Sequence, residues 1–356
     1  MKIVIKIGTQ SLLSEQGTPR ESVFNALVEQ IVHLKKDKHK IVLVSSGAVC
    51  LGRQVARHLL NKEYGSSIGE KQLLASLGQH ELMGVYVSLF KQYGIAVSQV
   101  LLTKQDFETR KKYFNIKRIW EELFFNNRII PIVNENDSVA IEELMFTDND
   151  ELSGLIASQI GADKLIILSN VEGVYAGPLT DKGPKLLPMI DPKTNWPTIS
   201  ISKSTHGRGG MFSKVNTARR VSAVGVTTHI AGAAHPHVLE EIVAGKQVGT
   251  VIPPSKKESS LKRWIACNGG HAEAAIIIDH KLCALLKNKS EEVSLLPVGI
   301  KSYTGRFKKG DIIKIMSLEG NTVGIGVARY GDKKLKEFLG QKNKSMFIHC
   351  DYLHVF

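Results

Sequence analysis

The sequence predicts an α/β protein: a three-layer αβα sandwich around a mostly parallel sheet, followed by a small β-barrel-like domain. Two observations carry the first part. From residue 1 to about 252, short β-branched, apolar runs alternate with amphipathic stretches of helical length. Strands that are almost wholly apolar belong to a parallel sheet covered on both faces. The third observation is a change of texture after Pro253-Pro-Ser-Lys-Lys-Glu-Ser-Ser260, where short strand-like pieces are separated by glycine turns. The expected division is therefore 1–252 as the α/β domain, 253–269 as a linker and 270–356 as the small domain.

In chain order, the apolar runs place strands at Ile3–Ile7, Ile41–Ser45, Ile95–Leu101, Ile129–Val133, Lys164–Leu168, Thr227–Ile230 and Gly249–Ile252. Amphipathic stretches place helices near 20–36, 70–91, 115–126, 150–160, 213–224 and 236–243. Beyond the linker, Ala275–Ile278, Ile312–Met316, Thr322–Val327 and Met346–His349 read as strands, with turns at Gly299, Gly305, Gly310 and Gly320.

Composition narrows the class. At 356 residues with 43% hydrophobic content, the chain can bury a sizeable core. No apolar run approaches the roughly 18–20 residues that a membrane helix needs. The start, Met-Lys-Ile-Val-Ile-Lys-Ile, is interrupted by Lys2 and Lys6 and reads as a strand, not a signal peptide. Four isolated cysteines without a C-x-x-C pair argue against a disulfide framework or a zinc site and suit a reducing cytoplasm. The net charge is +13, and residues 260–356 hold 16 Lys/Arg against 9 Asp/Glu, so over half of the excess lies there. Anionic partners such as phosphorylated metabolites or nucleic acid fit this balance, as does surplus lysine on a solvated surface.

Against that basic background stands Asn134-Glu-Asn-Asp137 to Thr147-Asp-Asn-Asp150, with six carboxylates and three asparagines in one short stretch and no Lys or Arg. Like charges at this density repel unless a cation sits among them. A substrate ammonium, a metal ion or distant lysines would serve; a solvated acidic loop is the alternative. Asp148 or Asn149 also suits the cap of the helix near 150–160. Three further motifs are placed with it. Lys6-Ile-Gly8-Thr9 ends the first strand, where ligands of parallel sheets bind; Gly8 admits a phosphate and Lys6 brings a charge to it. Ser45-Ser46-Gly47-Ala48 joins the second strand to a helix start, whose free N–H groups favour an anion. Gly207-Arg208-Gly209-Gly210-Met211-Phe212-Ser213-Lys214 is a glycine-rich loop opening a helix with a lysine in its first turn, an arrangement that covers nucleotide phosphates. Each has an ordinary structural reading: an exposed lysine at a turn, an N-cap serine, a surface loop. The chain contains no P-loop and no G-x-S-x-G elbow, and His80-Glu81 lacks the second histidine of a metalloprotease helix.

In this order the four motifs resemble the amino acid kinase superfamily, most closely its branch that phosphorylates free L-glutamate. Gly249-Thr-Val-Ile252 resembles that domain's closing strand. Ser294-Leu-Leu-Pro-Val-Gly-Ile300, Gly305-Arg-Phe-Lys-Lys-Gly-Asp311 and Ile348-His-Cys-Asp-Tyr352 resemble a PUA domain. The resemblance implies the amino acid kinase fold and transfer of phosphate from ATP, with Mg²⁺, to the γ-carboxylate of L-glutamate at the start of proline biosynthesis. It gives catalytic roles to Lys6, Lys214 and Asp150, with no dedicated protein metal ligands. Glutamate would be held by Ser46, Asp137 and Asn149, assisted by Asn134 and Asp148. ATP would be held by Lys6, Gly8, Ser169, Asn170, Arg208, Gly209, Gly210, Met211, Phe212, Ser213 and Lys214. It further implies a homo-oligomer, feedback inhibition by proline and hand-over to a γ-glutamyl phosphate reductase.

The chain departs from the family pattern at Ser169-Asn170, where Thr-Asp is usual, and at Arg208, where a small residue is usual. In the PUA-like part it departs at Asp279-His-Lys-Leu-Cys283 and at Cys350, which stands where arginine is common. Two alternatives follow. One is another member of the superfamily acting on a different carboxylate or carbamate acceptor, against which the acidic segment argues for a substrate with a free ammonium. The other is an RNA-binding or regulatory protein on a degenerate kinase scaffold; residues 260–356 lack clustered aromatics for base stacking.

Overall fold

The computed structural model describes residues 1–108, 110–139, 148–176, 185–192, 196, 210–255, 265, 272, 274–287 and 293–356. The chain separates into two compact units, Met1–Lys257 and Glu258–Phe356. In chain order the first contains β1 (Lys2–Ile7), α1 (Thr9–Leu12), α2 (Glu21–Lys36), β2 (Lys40–Ser45), α3 (Ala48–Leu60), α4 (Ile68–Lys91), β3 (Ala96–Leu102), α5 (Gln105–Glu108), α6 (Arg110–Phe125), β4 (Ile129–Glu135), α7 (Asn149–Ile160), β5 (Lys164–Ser169), β6 (Tyr175–Ala176), β7 (Lys185–Leu186), α8 (Met211–Ala223), β8 (Thr227–Gly232), α9 (Val238–Val243) and β9 (Thr250–Ile252).

Seven of these strands form one sheet in the order β3-β4-β2-β1-β5-β8-β9. Every neighbouring pair is parallel except β8–β9. The side chains of β1 show why its sequence is largely apolar despite Lys6. Ile3, Ile5 and Ile7 enter a core with Phe24 and Leu27 of α2, Leu82 of α4 and Leu239 of α9. The alternate residue Lys6 points to the opposite face and meets Asp150 of α7. A strand with helices on both faces has no solvent side to mark with polar residues. Each such fully buried Ile contributes roughly 1.5–3 kcal/mol relative to exposure.

The connection after β1 leads toward β2 on one side, and that after β5 leads toward β8 on the other. The β1/β5 boundary is therefore the switch point of the sheet, the place at the strand carboxyl ends where open α/β sheets bind ligands.

Sequence periodicity starts α4 two residues late. The reciprocal capping box of Ser67 and Glu70 sets its first residue at Ile68. α4 then crosses α3 backbone to backbone. A Cβ on Gly78 would lie 1.8 Å from the Ala48 carbonyl oxygen and 2.3 Å from the Gly52 nitrogen, and one on Gly52 would lie 1.9 Å from the Leu74 oxygen. Gly78→Ala is accordingly expected to destabilise the protein by about 1–3 kcal/mol through overpacking. Helix propensity alone would favour alanine by about 1 kcal/mol. A thermal melt reads the sign directly: a lowered midpoint reports the crossing, and a raised one would show that the helices part freely.

The second unit contains β10 (Ala275–Ile278), α10 (His280–Lys287), β11 (Ile300–Thr304), β12 (Ile312–Met316), β13 (Thr322–Val327), α11 (Asp332–Phe338) and β14 (Leu353–Val355). Its strands form a five-stranded sheet, β11-β10-β12-β13-β14, in which only β10–β12 is parallel. The expected strand at Met346–His349 is not one. Ile348 makes a single bridge to Leu295, and Phe347 and Ile348 are both buried in the core; the edge strand follows at Leu353–Val355. Residues 279–283 lead into α10, where the Asp279 side chain accepts from the Leu282 N–H at 2.8 Å. Among the described residues no helix is long and apolar enough to cross a membrane.

Candidate active site

Three helices begin near the switch point, each at a position its sequence prepares. α3 follows Ser46-Gly47, and Gly47 takes φ +122°, a conformation closed to other residues without strain. α7 is capped by Asp148, whose carboxylate accepts from the N–H groups of Asp150 at 2.9 Å and Glu151 at 3.1 Å. α8 begins at Met211 directly after Gly210. The starts of α3 and α8 carry no side-chain cap, so they offer N–H groups and a partial positive charge, the two properties a phosphate or carboxylate ligand needs.

The electrostatic centre is Asp150. It is 0% exposed, with the Lys6 ammonium 2.7 Å from one carboxylate oxygen and the Lys214 ammonium 2.9 Å from the other. Burial pushes the Asp150 carboxyl up, but the charges and hydrogen bonds of Lys6 and Lys214 outweigh it and hold the group below the ordinary carboxylate range. One anion thereby fixes two cations that come from different elements, β1 and the first turn of α8. Gly8 follows Lys6 so closely that a Cβ there would sit 3.4 Å from the Lys6 ammonium.

Beside this centre lies a chain of amides and hydroxyls. The Asn149 Nδ2 group donates to Ser46 Oγ at 2.7 Å and to Asn134 Oδ1 at 2.9 Å. Asn134 Nδ2 in turn donates to Gln79 Oε1 at 2.8 Å. Asn149 Oδ1 is buried and has no hydrogen-bond partner among the described residues, an arrangement that is costly unless a ligand completes it. For Asp148, burial and then the charge of Asp150 push the carboxyl up, against the Ser213 hydroxyl, Lys6 and the Glu151 N–H. Ser213 thus brings the start of α8 against the start of α7.

The remaining expected site residues fall as follows. Asp137 lies two residues beyond β4 and is half-buried. Ser169 ends β5, buried, and its hydroxyl reaches Asn170 Oδ1 at 3.3 Å, while Asn170 is exposed. Met211 and Ser213 are half-buried in the first turn of α8, and Phe212 is 50% exposed. Arg208 and Gly209 lie outside the described residues. The contribution of α4 was not visible in the sequence. Gln79 reaches the end of β4, and Tyr86, fully buried, holds Ser45 Oγ at 2.9 Å at the end of β2. A glycine inside a helical pattern can mark a close approach, but α4 also holds Gly69 and Gly84, which have open space beside them, so Gly78 did not stand out.

Comparison with known proteins identifies the family. The amino acid kinase family model matches residues 1–232, and the PUA domain model matches residues 275–346. The chain is 40% identical over 356 residues to a glutamate 5-kinase of Chlorobaculum tepidum, covering 99% of this chain and 97% of that protein. It is also 40% identical over 359 residues to a glutamate 5-kinase of Bacteroides thetaiotaomicron, with 99% and 98% covered. The solved product complex of isopentenyl phosphate kinase from T. acidophilum superposes with a TM-score of 0.50 at 15% identity, over 71% of this chain and 100% of that one, a likeness of fold. The chain belongs to the amino acid kinase family, on the branch formed by the glutamate 5-kinases.

Proposed function

We propose that the chain transfers the γ-phosphoryl group of MgATP to the γ-carboxylate of L-glutamate, giving γ-glutamyl phosphate and ADP as the first step of proline biosynthesis. The observation that carries this reading is the buried Lys6–Asp150–Lys214 cluster beside an amide and hydroxyl chain at the switch point. It supplies cations for a phosphoryl group on one side and neutral hydrogen-bonding groups for a small polar acceptor on the other.

The chemistry asks little else of the protein. A carboxylate acceptor is already ionised at neutral pH, so no general base is required. One γ-carboxylate oxygen forms the new bond to phosphorus as the bond to the β-phosphate oxygen breaks, and ADP leaves with that electron pair. Catalysis is then alignment and charge stabilisation. Lys6 and Lys214 flank the phosphoryl group, and Asp150 holds both lysines in place. Ser46, Asp137 and Asn149 bind glutamate, with Asn134 and Asp148 supporting them. Gly8, Ser169, Asn170 and the loop of Arg208, Gly209, Gly210, Met211, Phe212 and Ser213 hold the nucleotide. Mg²⁺ arriving with ATP would offset phosphate charge; Asp150, the carboxylate between the two lysines, is already engaged by both. Proline carries the α-amino and α-carboxylate groups of glutamate and competes for the same pocket.

The test is ADP release from MgATP on addition of L-glutamate; release that ignores glutamate would refute the assignment. Within the site, Asp137 is the carboxylate assigned to the substrate ammonium. Asp137→Ala is expected to raise the glutamate KM about 10- to 100-fold, the loss of one hydrogen bond to a charged group, and to leave the ATP KM in place. A change confined to the ATP KM would move Asp137 out of the acceptor pocket.

A further inference from the structure

We infer that Gln79 is a positioning residue of the acceptor pocket: its side-chain carbonyl fixes the Asn134 amide, and through it Asn149 and Ser46, in the orientation that receives L-glutamate. The inference rests on the function proposed above and adds a residue, and a helix, that make no substrate contact in it.

The argument starts from the direction of the Asn134 amide. Its Oδ1 accepts from Asn149 Nδ2 and from the Glu135 N–H, each at 2.9 Å. Turning the amide over would set its NH2 group against two donors. The opposite end is fixed by Gln79, whose Oε1 takes the Asn134 Nδ2 hydrogen at 2.8 Å. The order of donors and acceptors therefore runs one way from Gln79 to Ser46, and only an acceptor at position 79 completes it. Among the described residues Gln79 Nε2 has no partner, so the side chain enters the chain through its carbonyl alone.

Gln79 is itself held in place. Tyr86 lies seven residues on, two turns along the same face of α4, and its hydroxyl meets Ser45 Oγ at 2.9 Å, immediately before Ser46. Gly78, directly before Gln79, is pressed against the first two turns of α3 at Ala48 and Gly52. One rigid helix thus fastens the end of β4 through Gln79, the end of β2 through Tyr86 and the start of α3 through Gly78. These are the segments that carry Asn134 and Ser46.

The test is steady-state kinetics on the full chain with Gln79→Leu, Gln79→Met, Asn134→Ala and the double variant Gln79→Leu/Asn134→Ala. Leucine and methionine are good helix formers that remove the side-chain amide, and with it the acceptor for Asn134. Both are expected to raise the glutamate KM about tenfold, the worth of one oriented hydrogen bond, with the ATP KM unchanged. Because Gln79 acts through Asn134, the double variant should be no worse than Asn134→Ala alone. A wild-type glutamate KM in both single variants overturns the inference. So does an equal rise in the ATP KM, or effects that multiply in the double variant. If the wild-type chain shows no glutamate-dependent ADP release, the proposed function falls and this inference with it. An active wild type with indifferent Gln79 variants removes this inference alone. Should the leucine variant fail to fold, the methionine variant carries the same comparison.

Discussion

Asp150→Asn is expected to cut turnover at least about a hundredfold and to lower the thermal midpoint as well. The reason is the double engagement of one carboxylate, 0% exposed, by Lys6 at 2.7 Å and Lys214 at 2.9 Å. Asparagine is nearly isosteric, so the cavity is unchanged. Its carbonyl still accepts from one lysine, but its NH2 turns hydrogens toward the other. Two buried cations are then left without an anion, and breaking a buried pair in this way costs about 3–5 kcal/mol. The midpoint measures that cost. Turnover at saturating substrates, on the folded protein, measures what happens when the lysines leave their places, since a displacement of about 1 Å from the reacting geometry costs on the order of a hundredfold. Wild-type turnover in the asparagine variant would mean that the cluster is a structural ion pair with no part in phosphoryl transfer.

Lys214→Ala is expected to share the large loss of rate but not the large loss of stability. Lys214 sits in the first turn of α8, where the helix end already carries partial positive charge and a cation is locally unfavourable. A sequence that places a lysine there, buried against Asp150, accepts that cost at a site where an anionic ligand would offset it. Alanine removes the repulsion and leaves Asp150 paired with Lys6. The expected result is a fall in kcat of about 10²- to 10³-fold, typical for loss of one group that stabilises developing charge. The glutamate KM should stay close to that of the wild type. Unchanged turnover would place the transferred phosphoryl group elsewhere.

How much of this was legible in the sequence follows from what each element buries. The inner strands β2, β4 and β5 of the large sheet were readable because they are short, largely apolar and buried runs, and a strand covered on both faces has little reason to be anything else. The motifs after β1, β2 and β4 and at the start of α8 were readable because parallel sheets gather ligands at strand carboxyl ends, so a lysine, serine, asparagine or aspartate placed there stands out. That Lys6, Asp150 and Lys214 meet at one point was not a property of spacing. It depends on which face of β1 Lys6 occupies and on α7 lying beside α8.

Gln79 was invisible for a different reason: a glutamine in mid-helix is compatible with any exposed position, and only the crossing at Gly78 turns it toward Asn134. In the second unit, glycine-marked turns suggested strands throughout and concealed α10 and α11. Phe347 and Ile348 mimicked a strand because two buried apolar residues in sequence satisfy a short-run pattern without forming a ladder.

The measurement that tests the central claim most directly is trapping of an acyl phosphate with hydroxylamine in the presence of MgATP, with L-glutamate, N-acetylglutamate and L-aspartate compared as acceptors. ADP release alone does not distinguish transfer to a carboxylate from hydrolysis, whereas a hydroxamate forms only from an activated acyl group. A hydroxamate from L-glutamate, and none from the acetylated or the shorter acid, is the expected result. Folded protein that yields no hydroxamate from L-glutamate, or yields it equally from N-acetylglutamate, would contradict phosphorylation of the free amino acid at this site.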